Sequence, residues 1–208
     1  LATDSPATEM SLLPSQFPVL SSDFFLRSPD IVARDILGKV LVHRRRGERL
    51  SGRIVEVEAY LGLNDPASHA FRGRTSANAV LFGPPGIAYV YFIYGMHYCV
   101  NVSCLPENEP GGVLIRALVP LEGIKTMARL RGLPENAKAQ QLTGGPGKLC
   151  EAIGITRATH NGIDVTKAES SLHIEDDGVG LGKIEITPRI GITKAIEHPL
   201  RFVLKDWK

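Results

Sequence analysis

Between residues 53 and 69 the chain sets Glu56, Glu58 and Tyr60 at alternate positions and follows them with Asp65 and His69. In an extended strand, alternate residues share a face, so Ile54, Glu56, Glu58 and Tyr60 are predicted on one side. Val55, Val57 and Ala59 then form the core side. A carboxylate, a phenol and an imidazole brought to one place can activate water, donate hydrogen bonds and stack against a flat ring. Residues 89–94, Tyr-Val-Tyr-Phe-Ile-Tyr, add aromatic faces: Tyr89, Tyr91 and Ile93 on one side of a strand, Val90, Phe92 and Tyr94 on the other. Chemistry on an extruded nucleobase needs stacking walls, hydrogen bonds to the base edge and one group that activates water. Each residue also has a plainer reading: an exposed strand carboxylate, a tyrosine stripe in a core, a loop histidine bonded to backbone. No HxH or HExxH spacing accompanies His69, and Asp65 is the only acid near it, so no metal is expected.

The elements that must position these groups follow from local signals. Ser28-Pro29-Asp30 starts a helix with a hydroxyl cap, a proline in the first turn and an acid at the positive dipole end; Gly38 ends it. Lys39–His43 and Leu50–Tyr60 read as strands joined by a basic hairpin through Arg46-Gly47-Glu48. The segment from Gly62 to Asn78 reads as loop or short helix. Further strands are predicted at Ala88–Tyr94, Tyr98–Cys104, Gly112–Leu118, Leu172–Glu175, Lys183–Thr187 and Arg201–Leu204. Helices are predicted at Leu121–Leu130, stopped by Gly132-Leu133-Pro134, and at Leu149–Ile153. The fold class is α+β: a single domain, residues 21–208, with a curved, mainly antiparallel β-sheet flanked by helices, preceded by a polar tail over residues 1–20.

The 208 residues are 43% hydrophobic, enough for one sizeable core. No window approaches the apolar run of about 18 residues that spans a bilayer, so no membrane association is expected. Residues 1–16 carry Asp4 and Glu9 and lack a basic start and an apolar centre, which argues against a secretory signal. Cys99, Cys104 and Cys150 have no CxxC spacing and read as small buried hydrophobes in a reducing compartment. Net charge is only +2, yet residues 27–49 hold seven basic groups against three acidic ones, and residues 183–208 hold six against three. Both stretches are candidates to meet a phosphate backbone.

The stretches Gly52–Gly62, Tyr89–Met96, Asn101-Val102-Ser103, Leu114–Leu118, Pro120–Gly123, Gly145–Leu149 and Thr187–Ile192 resemble, in this order, the alkyladenine (3-methyladenine) DNA glycosylase family, which includes a human enzyme and bacterial relatives. The resemblance runs from about Phe24 to the C-terminus. It implies that Glu58 activates water and that Arg116 sits beside that water and the flipped nucleotide's phosphate. Tyr60 and His69 would lie on one face of the base and Tyr91 on the other. Asn101 and Leu114 would form the pocket floor, with Asn101 disfavouring a guanine amino group. Tyr94, with Met96, would wedge into the duplex, and Lys148 and Arg189 would contact phosphates. His97 stands where an aromatic residue is familiar in the family.

The implied activity is that of a monofunctional glycosylase acting on alkylated purines in double-stranded DNA: 3-methyladenine, 7-methylguanine and, further out, hypoxanthine and ethenoadenine. It would leave an abasic site, have no lyase activity, and need no cofactor, no metal and no obligate protein partner. A monomer is expected, in a bacterial cytoplasm with the nucleoid, or in the nucleus of a eukaryote. The alternative from a different class is a non-catalytic nucleic-acid-binding module resembling the C-terminal domain of methionyl-tRNA formyltransferase. Glu58, Tyr60, His69 and Arg116 together favour the enzyme, because a surface binder has no need of this set around a cavity.

Overall fold

The long strand β2 (Glu48–Tyr60) is the axis on which the other elements are hung. It returns from β1 (Val40–Arg45) through Arg46 and Gly47, whose φ angles of 51° and 77° are both left-handed. That pairing of signs gives a two-residue hairpin turn whose twist matches the strands. On its other edge β2 pairs along its length with β5 (Gly112–Glu122), which pairs with β4 (His97–Ser103), and β4 with β3 (Ala88–Ile93). β6 (Leu172–Glu175) pairs with β1, while β8 (Arg201–Leu204) pairs with β7 (Ile184–Thr187) and with β2 at Glu56–Glu58. All these pairings are antiparallel, and the result is the expected α+β architecture: one domain on a curled antiparallel sheet. The computed structural model describes residues 15–180 and 182–205.

Among the described residues six short helices flank the sheet: α1 (Ser22–Phe25), α2 (Pro29–Ile36), α3 (Ile124–Leu130), α4 (Ala139–Thr143), α5 (Pro146–Ile153) and α6 (Arg157–His160). Val32, Ala33 and Ile36 of α2 and Leu149 and Ile153 of α5 are fully buried against Leu41, Val57, Ile115 and Leu118. Each such aliphatic side chain contributes roughly 1.5–3 kcal/mol by leaving water. Ser28 precedes α2 as expected, but its hydroxyl bonds the Asp30 carboxylate rather than a free backbone N–H. α1, α4 and α6 carry too few residues to show a helical period and were not anticipated. The helix expected from Leu121 starts at Ile124, because β5 stays paired as far as Glu122 and Gly123, at φ 71°, makes the break.

The β2–β5 ladder shifts register between Ser51 and Gly52 and again, beside the site, between Ile54 and Val57. Ile54 faces Leu118, Glu56 faces Ala117, and Val57 faces Ile115, so Val55 and Arg116 are each passed over in the pairing. Two offsets of opposite sense restore the register, and between them the side chains are re-aimed, as bulges do beside functional sites. The strict alternation predicted for residues 54–60 therefore fails at its start: Ile54 joins Val55 and Val57 in the main core.

Three further expectations are corrected. The tail boundary at residue 20 falls inside the packed unit: Val19 bridges to Glu175, and Leu20 is buried and donates its N–H to Ile174. Residues 1–14 lie outside the described residues. Arg44, which the expected strand bounds leave in the connection after His43, is a buried residue of β1 and donates to the Ala168 carbonyl and the Ser15 hydroxyl. The basic run of residues 27–49 is largely spent internally, with Arg27 on Asp35, Lys39 on Asp176 and Arg49 on Glu122 and Glu175. Among the described residues no helix is long and apolar enough to cross a membrane.

Candidate active site

Glu58 comes from the last turn of pleat in β2, immediately past the irregular pairing, and its side chain is wholly buried. One carboxylate oxygen, Oε1, accepts the Ile190 N–H at 2.7 Å; the other, Oε2, accepts the Tyr60 hydroxyl at 2.8 Å. Arg116 Nη1 stands 3.2 Å from Oε2. Ionised carboxylates offer about four acceptor positions, so one on Oε1 is left for a further donor. Tyr60, Arg116 and Ile190 all line a cavity of about 850 Å³, within the range that holds small molecules. Glu58 itself does not line it; its partners form the screen between the carboxylate and the space.

Arg116 is held from behind. Its Nε donates to Glu56 Oε1 at 3.0 Å, and the same oxygen accepts Arg201 Nε at 2.8 Å. Burial pushes the Glu56 carboxyl up, but the Arg201 and Arg116 guanidinium groups outweigh it and hold Glu56 below its ordinary range. Burial likewise works against the Arg116 charge, and Glu58 and Glu56 more than restore it. Burial and the neighbouring Glu58 charge push the Tyr60 hydroxyl far up, so it is a phenol that donates and never a phenolate. Glu56 and Arg201 are site residues that sequence reasoning missed. The Glu56–Glu58 alternation was a visible signal for the first; Arg201 has none, since it reaches the site only through β8 pairing with β2.

The aromatic wall is built by β3 and the loop before it. Tyr89 and Tyr91 stack with ring centroids 5.5 Å apart and planes 28° apart. His69 meets Tyr91 edge-on at 4.5 Å, and its Nδ1 lies 3.0 Å from the Tyr89 hydroxyl. Burial pushes the His69 imidazole down, so it is neutral near pH 7. A neutral ring here does not repel a cationic ligand, as an imidazolium would. His69 is thus in contact with Tyr91 and Tyr89. The Tyr60 ring is instead covered on one side by the Arg189 guanidinium, 4.7 Å from its centroid.

Asn101 and Leu114 face one another across β4 and β5, are buried, and line the same cavity. The Asn101 amide is oriented by donation to the Tyr89 carbonyl at 3.4 Å. Tyr94 and Met96 sit in the β3–β4 turn with 76% and 69% of their surface exposed, Tyr94 at a left-handed φ of 54°. A large ring held in that conformation, in water, has no packing reason to be there. Lys148, exposed in the first turn of α5, lines the mouth with His97. The ring of His97 lies so close to Gly147 that a Cβ there would come within 2.9 Å of it.

Arg189 does not share this mouth. It is buried, donates to both oxygens of Asp65 and to the Ala59 carbonyl, and turns no donor toward a phosphate outside. The expectation of a phosphate contact is corrected: a buried carboxylate across the chain, invisible to sequence spacing, has claimed the guanidinium.

Fold and site together define a protein with an aromatic-walled cavity on a curled antiparallel sheet and a buried carboxylate behind it. The chain belongs to the methylpurine-DNA glycosylase family, which matches residues 23–208. It is 52% identical over 190 residues to a protein of Koribacter versatilis, covering 91% of each chain. A protein of Methanocella arvoryzae is 50% identical over 184 residues, 88% of this chain and 90% of its own. One from Rhodopseudomonas palustris is 47% identical over 188 residues, 90% of this chain and 88% of its own. Each of the three is described as "Putative 3-methyladenine DNA glycosylase". The family places the chain in DNA repair, among enzymes that act on damaged DNA.

Proposed function

We propose that this protein hydrolyses the N-glycosidic bond of alkylated purines flipped out of duplex DNA, 3-methyladenine and 7-methylguanine foremost. Hypoxanthine and ethenoadenine form the outer edge of the proposed range. The observation that carries this reading is the Glu58 carboxylate, buried beside the aromatic cavity with one acceptor position left over.

In the proposed step a water bonded to that position gives its proton to Glu58, and its oxygen attacks the anomeric carbon. The glycosidic bond breaks, and its electron pair leaves with the base. Alkylation at N3 or N7 has already made the base cationic, so it departs neutral without acid help. The buried carboxylate also stabilises the positive charge that develops on the sugar. Hypoxanthine starts neutral and needs a proton at N7, which makes it the slower substrate.

Tyr60 supplies one stacking face, and Tyr91 with His69 the other; tyrosine faces favour an electron-poor cationic ring. Asn101 and Leu114 set the floor, Tyr94 and Met96 fill the space left in the duplex, and Lys148 meets a phosphate. Arg116 balances Glu58 and faces the phosphate of the flipped nucleotide. The group in the nucleophile's place is a carboxylate and not an amine, and the lysines of the cavity mouth, Lys148 and Lys194, are exposed. The reaction is therefore proposed to stop at the abasic site, with no strand cleavage, and to be carried out by a monomer.

Single-turnover base release from a duplex carrying one 7-methylguanine tests the reading, with wild type set against Glu58→Gln. Excision by the wild type, and a loss of about two orders of magnitude or more in the variant at unchanged affinity, is the expected result. Tight duplex binding by the wild type with no base released would show a binding module instead.

A further inference from the structure

The Asp65–Arg189 pair is a buried charge pair near the cavity with no part in the chemistry above, and its connections are unusual. Both side chains are fully buried. Asp65 accepts the backbone N–H groups of Leu61 and Ala67 at 3.1 and 3.0 Å as well as Arg189 Nη2 at 2.9 Å. Arg189 Nη1 donates to the same carboxylate and, at 3.0 Å, to the carbonyl of Ala59, the residue between Glu58 and Tyr60. The flat guanidinium lies over the Tyr60 ring at 4.7 Å. The residue after Arg189 is Ile190, whose N–H bonds Glu58.

One guanidinium thus ties three chain segments that meet nowhere else in sequence. These are the end of β2 with Glu58 and Tyr60, the 61–69 segment that leads to His69, and the 188–194 segment that screens the carboxylate and lines the cavity. We propose that Asp65 and Arg189 are positioning residues for base release. The pair fixes the back face of Tyr60, and through the peptide that follows Arg189 it fixes the orientation of the Glu58 carboxylate. This rests on the glycosylase reading given above. Neither residue touches the substrate. Arg189 carries its charge against Asp65, so the back of Tyr60 presents a neutral pair, and the front face keeps its attraction for a cationic base. A guanidinium, unlike an ammonium, can bond a carboxylate with two parallel donors while lying flat on a ring.

The test uses a double variant, Asp65→Asn with Arg189→Met, because removing both charges leaves no lone buried ion to unfold the protein. The variant is expected to bind a duplex containing an abasic-site analogue within about twofold of wild type, with the same salt dependence. Its single-turnover release of 7-methylguanine is expected to fall about tenfold or more, since small displacements of reacting groups carry losses of that size. Arg189→Lys, which keeps the charge on Asp65 but loses the flat contact, is expected to fall between the two. The Ile190 amide proton, shifted downfield by its bond to a carboxylate, is expected to move upfield in the double variant. Equal release rates in a folded double variant, or an unmoved Ile190 amide, would overturn the proposal. So would a loss of affinity and of salt slope at full rate, which would return Arg189 to a phosphate contact. A wild type that releases no alkylated purine would instead fail the glycosylase reading, and the Ile190 resonance would then report on the clasp alone.

Discussion

Two clusters of buried charge sit on the same strand, and they behave differently. At the start of β2, Arg49 bonds both oxygens of Glu175 at 3.0 and 2.7 Å and Glu122 at 2.6 Å. His173 and Ser51 complete that cluster, and the Gln16 side chain closes it by donating to Glu122. Near the end of β2, Glu56, Glu58, Arg116 and Arg201 form a second cluster of the same chemical kind. Burial and ion pairing are common to both. The first cluster is sealed by the incoming N-terminal segment and lies away from the cavity, whereas Arg116 and Tyr60 of the second line it. Buried charge by itself marks stability or function equally well; a cavity beside it marks function.

The comparison breaks most sharply at Glu175. Glu175→Ala leaves Arg49 buried without its main partner and is expected to cost about 3–5 kcal/mol in urea unfolding. The folded fraction should release base at the wild-type rate within about twofold. A large rate loss there would erase the distinction between the clusters. Glu58→Gln is its mirror: a rate loss of about two orders of magnitude or more, near 2.7 kcal/mol in barrier, with little change in the unfolding midpoint. If that variant instead unfolded and kept its rate per folded molecule, the second cluster would be structural like the first.

A third pair of buried groups sharpens the same point through pH. His43 and His160 lie with their Nε2 atoms 3.0 Å apart, and His43 Nδ1 bonds the Ile153 carbonyl. The Thr156 N–H donates to His160 Nδ1, which leaves a consistent chain of neutral tautomers running from His160 to His43 and on to Ile153. Burial pushes His43 down to about 4, and burial pushes His160 down as well. The unfolded histidines take up protons below about 6.5 while the folded pair stays neutral. Stability from this pair is therefore complete above that pH and is lost as pH falls toward 4, by about 2–3 kcal/mol. Unfolding free energies at pH 7, 5.5 and 4.5, compared with His43→Phe, check it; a slope unchanged by the substitution would place the effect elsewhere. The smallest expected effect is at the mouth. Lys148→Ala should lower the slope of log affinity against log salt by about one, with stability within about 0.5 kcal/mol of wild type.

Much of the fold was legible because it rests on local signals. Alternation marked β2 and β3, Ser28-Pro29 marked the start of α2, and Arg46-Gly47 marked the hairpin; all of these are chemistry within a few residues. The site was legible in kind: Glu58, Tyr60, Tyr91, Asn101, Leu114 and Arg116 were named, and all but Glu58 line the cavity. What failed was pairing. The resemblance implies a phosphate contact for Arg189, yet Asp65, 124 residues away along the chain, holds the guanidinium in the interior. His69 follows Tyr60 closely in sequence, yet the loop carries its ring to within 4.5 Å of Tyr91. The basic run of residues 27–49 reads as a candidate phosphate-facing patch, yet Arg27 is met by Asp35 within the run, and Lys39 and Arg49 by the distant residues 122, 175 and 176.

The sequence by itself determined which side chains could do the work and which segments would be strand or helix, because those depend on residue type and on periods of two and 3.6 along the chain. Only the tertiary structure decided which charge meets which. The register offset that passes over Val55 and Arg116 brings the arginine to Glu56 and Glu58, and the return of β8 brings Arg201 from 145 residues away. Ion pairs and hydrogen bonds act over a few ångströms of space with no regard to separation along the chain. For that reason the composition of this site was readable in the sequence and its wiring was not.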